Sequence, residues 1–305
     1  MPSGWTLRPF DAESDKAGVL KLWRDAAGFD ASVEVRTQSQ LDALLAHRMS
    51  EGGADWRVAT ASNNAVVGAL TISYVGSLRT ELTLAVNPAW RRRGIGKALL
   101  AEAPAGKRLL ISTRASVAAA TTLLEQQGFT ERHRTVRLRQ KAIDFDDQAL
   151  PLPNWAKVAE DEAREALRYI SAAKSVFGDE EPSDPRFVAA QLQRPGVRVI
   201  YLSSPKGDDG ICVIGPSPQL KKSDLKKDGS GNVGLLIKVA LSKATRGKGV
   251  SRPLVRAGLC QLVDDGYAEL EVTADKRRQA AIDLYLREGF VTTDEDIHWI
   301  RRDDS

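Results

Sequence analysis

The sequence predicts an α/β protein, with α+β character, built from two related domains. Three observations lead there. A strand, a basic glycine-bearing turn and a helix follow one another twice, at 84–100 and 239–255. Each copy continues into a further strand, a further helix and a Gly-Phe pair, Gly128-Phe129 and Gly289-Phe290. Strand-like and helix-like patterns alternate along 305 residues, a length that suits two medium domains.

In the first half, residues 6–10 read as a strand, and 15–27 and 39–50 carry apolar residues at helical spacing. Residues 56–61 and 66–74 form two strands around a turn at Ser62-Asn63-Asn64. The strand 80–86 enters the first basic turn. A helix over 94–103, a strand over 108–113 and a helix over 117–127 come next. Gly128 stands where a helix C-cap belongs and opens the closing strands, to about 139. Polar residues 141–153, with Leu150-Pro151-Leu152-Pro153, read as a connector between domains 1–140 and 154–305. The charged stretch 154–174 reads as a helix, 184–193 as another, and 197–203 and 211–214 as strands. Residues 221–231 are a solvated loop by composition, either a surface insertion or a lid. The second half then repeats the first: strand 235–241, helix 249–264, strand 268–274 and helix 279–287.

Composition removes several function classes. An ordinary apolar fraction of 42% permits a sizeable core. No apolar run is long enough to span a bilayer, and the first residues read as a strand rather than a leader, so a cytoplasmic protein without a membrane partner is expected. Cys212 and Cys260 lie in apolar stretches and read as reduced core thiols. His47, His133 and His298 are isolated from one another and lack ligand spacing, so packing or surface roles and no metal site are expected. The net charge of +4 is too small and too dispersed for nucleic acid. The sequence leaves open whether the protein is a monomer or a homodimer.

The repeated turns are suited to an anion. The first runs Leu84-Ala85-Val86, then Arg91-Arg92-Arg93-Gly94-Ile95-Gly96-Lys97; the second runs Val239-Ala240-Leu241, then Arg246-Gly247-Lys248-Gly249-Val250-Ser251-Arg252. Unpaired N–H groups at a helix start and the helix dipole attract phosphate, and glycine lets the backbone approach it closely. The neighbouring arginines and lysines are either screening charge for that phosphate or a solvated basic turn. Pro253 removes one N–H in the first turns of the second helix.

These residues resemble the GNAT N-acetyltransferase superfamily. Its phosphate motif, Arg/Gln-x-x-Gly-x-Gly/Ala after a bulged strand, is matched by Arg91 to Gly96, and by Arg246 to Ser251 except at the last small position. Its helix motif is matched by Ala281-Ile282-Asp283-Leu284-Tyr285-Leu286-Arg287-Glu288-Gly289-Phe290. The resemblance is strongest over 80–130 and 232–291. It implies two tandem acyl-CoA N-acyltransferase (GNAT) domains, each a mixed, mostly antiparallel sheet flanked by helices, in a plan similar to that of mycothiol synthases. It also implies acetyl-CoA as cofactor and a small-molecule primary amine as acceptor. The pantetheine arm would pair with 84–86 and 239–241 like an added strand.

By the same resemblance Tyr285 is the general acid to the departing CoA thiolate. A phenol is suited to this because its ordinary pKa is near 10; spacing alone would make it a core tyrosine. The corresponding residue of the first half is Leu124, which has no proton to give, so catalysis is expected in the second domain. The first domain then binds acetyl-CoA without turnover or braces its neighbour. Many relatives carry a carboxylate on the strand before the cradle; here that strand has none. Glu269 and Glu271 on the next strand are the candidates for a base, direct or through water, or else line a solvent-facing sheet edge. Two other readings stay open: a non-catalytic acyl-CoA-binding scaffold and a protein-lysine acetyltransferase.

Overall fold

A computed structural model describes residues 4–27, 41, 54–75, 79–106, 108–146, 148, 150–177, 185–217 and 232–302. They form two compact units, 4–136 with 294–302, and 137–217 with 232–293.

The first unit contains β1 (Trp5–Pro9), α1 (Lys16–Ala27), β2 (Ala54–Ala61), β3 (Val66–Val75), β4 (Arg79–Val86), α2 (Ile95–Ala101), β5 (Arg108–Arg114), α3 (Ala118–Gln126) and the start of β6 (Thr130–Lys141). The second contains the end of β6, then β7 (Lys157–Glu160), α4 (Ala166–Phe177), α5 (Pro185–Leu192), β8 (Arg198–Ser204), β9 (Gly207–Pro216), β10 (Val233–Leu241), α6 (Ser251–Asp264), β11 (Glu269–Asp275) and α7 (Gln279–Arg287). The last strand, β12 (Val291–Arg301), belongs to the first unit from Asp294 onward.

The first unit's sheet runs β1-β2-β3-β4-β5-β12-β6. Its pairs are antiparallel from β1 to β4 and between β5 and β12, and parallel between β4 and β5. Helix α1 lays Val19, Leu22, Trp23 and Ala26 on one face, against Phe10 and Trp56. On the other face Ile95, Leu99 and Leu100 of α2 pack with Leu124 of α3 over Leu70, Leu82 and Leu109. Apolar residues at helical spacing on helices and alternating ones on strands account for both layers.

The second unit repeats this plan. Its sheet runs β6-β11-β10-β9-β8-β7, with β10 and β11 parallel and β7 to β10 antiparallel. Tyr169, Ala172 and Ala173 of α4 and Val188 and Leu192 of α5 cover one face. Helix α6 covers the other so closely that a methyl on Gly258 would meet Cys212 Sγ at 2.6 Å.

Three expectations change. Residues 154–174 are not one helix: Lys157–Glu160 is an edge strand paired with β8, and the helix begins at Ala166. Pairing with a sheet edge overrides the helical propensity of this stretch, and Arg164, at φ +51°, interrupts helical backbone before α4. Residues 141–153 do not stand apart as a connector but lie with the second unit, where Arg256 donates to the carbonyls of Asp146 and Gln148 and stacks over Phe145. His133 and His298 are not isolated; strands β6 and β12 stack their rings in parallel, with centroids 4.3 Å apart. The helix expected at 39–50, apart from Leu41, the loop 221–231 and His47 fall outside the described residues.

Candidate active site

Both units open a wedge in their sheets. In the first, β4 and β5 pair only from Arg79↔Arg108 to Glu81↔Leu110, while β3 follows β4 as far as Val86. In the second, β10 and β11 pair only from Val233↔Glu269 to Leu236↔Val272, while β9 follows β10 to Leu241. A bulge between Leu236 and Lys238 coincides with the parting, as bulges commonly re-aim a strand beside a site. Leu236 packs toward α6, whereas Ile237 joins the α4 cluster and Lys238 reaches Tyr169, its Nζ 5.9 Å from the ring centre. The backbones of Leu84-Ala85-Val86 and Val239-Ala240-Leu241 thus line the wedges with no strand partner on that side among the described residues. Such an edge accepts an extended ligand.

The basic turns sit at the mouths of the wedges. Arg91 Nε donates to Val86 O at 3.4 Å, and Arg246 Nε to Leu241 O at 3.1 Å, so the first arginine of each motif ties the turn to the end of its strand. Backbone shape is shared: Arg92 and Gly94 have φ of +64° and +80°, Gly247 and Gly249 +76° and +77°. A methyl on Gly94, Gly247 or Gly249 would meet nothing within 4 Å, so these glycines serve conformation and leave the space above them open. Gly96 differs: its methyl would strike Leu123 at 2.9 Å. Neither helix start carries a side-chain cap at Gly94 or Val250, so the first N–H groups of α2 and α6 are left for a ligand or solvent. Lys97 and Ser251 are exposed beside them. Arg93 stacks on Trp90 at 4.5 Å and Lys248 lies 5.6 Å from the Trp155 ring centre. Arg252 is engaged by Glu288. An open turn of positive φ, uncapped N–H groups and a free strand edge fit a diphosphate-bearing, extended molecule such as acetyl-CoA.

The sequence did not single out the support of the second turn. Ser242 Oγ donates to Asp209 at 2.9 Å, and Ser242 N to the Asp209 carbonyl at 2.7 Å. Thr245 Oγ1 lies 3.0 Å from Ser242 Oγ. The signal was present as Ser242-Lys-Ala-Thr245, a hydroxyl pair spaced for a turn.

Tyr285 on α7 is buried and meets Phe290 edge-on at 6.2 Å. Burial pushes its phenol above the ordinary tyrosine range, Cys212 adds to this and Arg278 opposes it. The phenol therefore keeps its proton at neutral pH. Cys212, fully buried, has its thiol pushed up to about 12 by desolvation and stays neutral too. Leu124, at the matching place in the first unit, is buried among Leu99, Leu100 and Phe129.

Strand β11 is interior to its sheet, and of the two carboxylates only Glu269 faces solvent. Glu271 is fully buried, held by Arg137, by Arg139 Nε at 2.7 Å and by Ser217 Oγ at 3.2 Å. Glu269 is paired with Arg139 at 3.2 Å and 40% exposed at its side chain. A carboxylate taken up by two guanidiniums is an anchor between β6 and β11. Among the described residues no three His, Cys, Asp or Glu side chains gather as a metal site, and no helix is long and apolar enough to cross a membrane.

Comparison with known proteins agrees with this geometry. Residues 54–131 match the family described as Acetyltransferase (GNAT) domain. Mycothiol acetyltransferase from Geodermatophilus obscurus is 26% identical over 295 residues, covering 93% of this chain and 94% of the relative. The protein of the same name from a Nocardioides species is 27% identical over 233 residues, covering 72% and 79%. Among solved structures, a tandem GNAT protein from the clavulanic acid biosynthesis pathway superposes with a TM-score of 0.76 at 15% identity, over 99% of both chains. A GCN5-related N-acetyltransferase from Sphaerobacter thermophilus gives 0.69 at 16% identity, over 99% and 96%. Residues 54–131 therefore match an acetyltransferase (GNAT) domain, in a chain that is similar over most of its length to mycothiol acetyltransferases and, in fold, to a tandem GNAT protein.

Proposed function

We propose that the second unit transfers an acetyl group from acetyl-CoA to a primary amine of a small molecule, by direct attack of the amine. The observation that carries the reading is the coincidence, in one unit, of an uncapped helix start, a parted strand edge and a buried, protonated tyrosine. When bound, acetyl-CoA supplies the activated thioester. The turn 246–251 and the start of α6 hold the diphosphate. The edge of Val239-Ala240-Leu241 aligns the pantetheine arm. As the amine nitrogen bonds to the thioester carbon and the C–S bond breaks, Tyr285, protonated at neutral pH, would give its proton to the departing sulfur, and the proton released by the amine would pass to solvent, from which the phenol is restored. Glu269 and Glu271 are left out of the chemistry because their arginine partners hold them.

The first unit has a matching turn and wedge but Leu124 in place of the phenol, which favours binding of acetyl-CoA without turnover there. The name shared by the relatives makes a mycothiol-related amine the first acceptor to try.

The test is a titration of the full chain with acetyl-CoA, followed by a thiol-release assay against a panel of amines. Saturable binding with thiol release on a small amine is the expected result. Binding with no release on any amine would replace the reading by that of a non-catalytic acyl-CoA-binding protein.

A further inference from the structure

The second unit holds a charge cluster between α6 and α7, with Glu288 and Arg256 buried and Arg252 reaching solvent, that the chemistry above does not use. Glu288 follows α7 directly, and its side chain is fully shielded from solvent. Its carboxylate accepts from Arg256 at 2.8 Å and from Arg252 Nε. Those arginines lie one turn apart on the first two turns of α6, the helix that begins at the glycine turn. The backbone N–H of Glu288 donates to the Tyr285 carbonyl at 3.1 Å and to Leu284 O at 3.2 Å. One residue therefore grips the cradle helix with its side chain and the phenol-bearing turn with its main chain.

Such a cluster is an unusual choice for holding two helices together. A carboxylate at a helix C-terminus opposes the helix dipole. Removing charges from water is costly, and apolar contacts of similar volume often stabilise as well. The first unit takes the apolar course: Leu99, Leu100 and Leu124 join α2 to α3. There the positions of Glu288, Arg252 and Arg256 are Gln127, Lys97 and Ala101, and the position of Tyr285 is Leu124. The clamp and the phenol are present together in one unit and absent together from the other.

We propose that Glu288 is a positioning residue, which fixes the start of α6 and Tyr285 in one register so that diphosphate and leaving sulfur are met at once. Its catalytic half rests on the reading of Tyr285 as proton donor; its binding half does not. The test compares Glu288→Gln with Tyr285→Phe in the full chain, with folding checked by thermal melts. Glu288→Gln is expected to weaken CoA binding by about tenfold in a calorimetric titration. It is also expected to lower kcat at saturating acetyl-CoA by roughly tenfold. Glu288→Asp, which restores the charge, recovers part of both. Tyr285→Phe lowers kcat with CoA affinity unchanged. A folded Glu288→Gln protein with wild-type affinity and kcat overturns the proposal. Weakened CoA binding by Glu288→Gln beside an unaffected Tyr285→Phe enzyme supports the clamp and removes the phenol. Should Glu288→Gln fail to fold, Arg252→Gln carries the test. Loss of a phosphate charge alone raises the dissociation constant and spares kcat at saturation, so a fall in kcat supports the clamp and an unchanged kcat overturns it.

Discussion

Tyr285 and Leu124 occupy equivalent places, each four residues before a Gly-Phe pair, and differ by one hydroxyl-bearing ring. If the phenol supplies the proton, Tyr285→Phe lowers the transfer rate by about a hundredfold or more, the ordinary range for loss of a general acid, with the melting temperature little changed. Leu124→Tyr leaves the transfer rate as it is. Both are read from thiol release per folded chain. The place of this residue in its helix was legible because a motif surrounds it. The state of Glu271 was not. A glutamate in an alternating strand reads as solvent-facing, and its partners Arg137 and Arg139 lie 134 and 132 positions earlier. Glu271→Ala strands two guanidiniums around an emptied site. It is expected to cost roughly 3–5 kcal/mol of stability, checked by denaturant unfolding.

Strands and helices followed the sequence closely wherever local pattern decides them. Helix α7 falls on the expected residues 279–287, since its apolar spacing and the glycine after it agree. Strand β7 escaped because Lys157-Val-Ala-Glu160 has no β propensity of note and is made a strand only by its neighbour β8. What stops the helix from running back over it is local: Asp161 accepts from the Glu165 N–H at 3.1 Å, ahead of α4. Asp161→Ala should lower stability by about 1 kcal/mol, as loss of one side-chain hydrogen bond does, read from denaturant unfolding. The glycine turn of the second unit makes a contrasting prediction. Gly249→Val forces a branched side chain into φ near +77° and covers the open approach, so CoA affinity falls in a titration.

At the scale of the molecule, the repeat told that there are two domains but not how the chain is shared between them. Pairing of Ile111 with Trp299 spans most of the sequence, and no local signal announces it. A fragment ending at residue 140, the boundary that composition suggests, lacks the strand between β5 and β6. It is expected to precipitate or melt well below the full chain in scanning fluorimetry. Alkaline stability follows from the buried acids. Cys212, Tyr285 and Tyr201 all have pKa values raised chiefly by burial, so the folded chain holds their protons more tightly than the unfolded one. This stability is full below about pH 9 and is lost as pH rises from there toward 12, a decline that urea melts across that range would record.

The placement of residues 294–301 between β5 and β6 also sets a timetable for biosynthesis. While the ribosome is still translating the second half, the emerging first half has a gap in its sheet and two unsatisfied strand edges. Such edges invite aggregation, and long-range closure is slow. The nascent polypeptide must then be sheltered, by chaperones or by its own solubility, until translation has passed the final strand. Prematurely terminated products would be left as substrates for proteolysis.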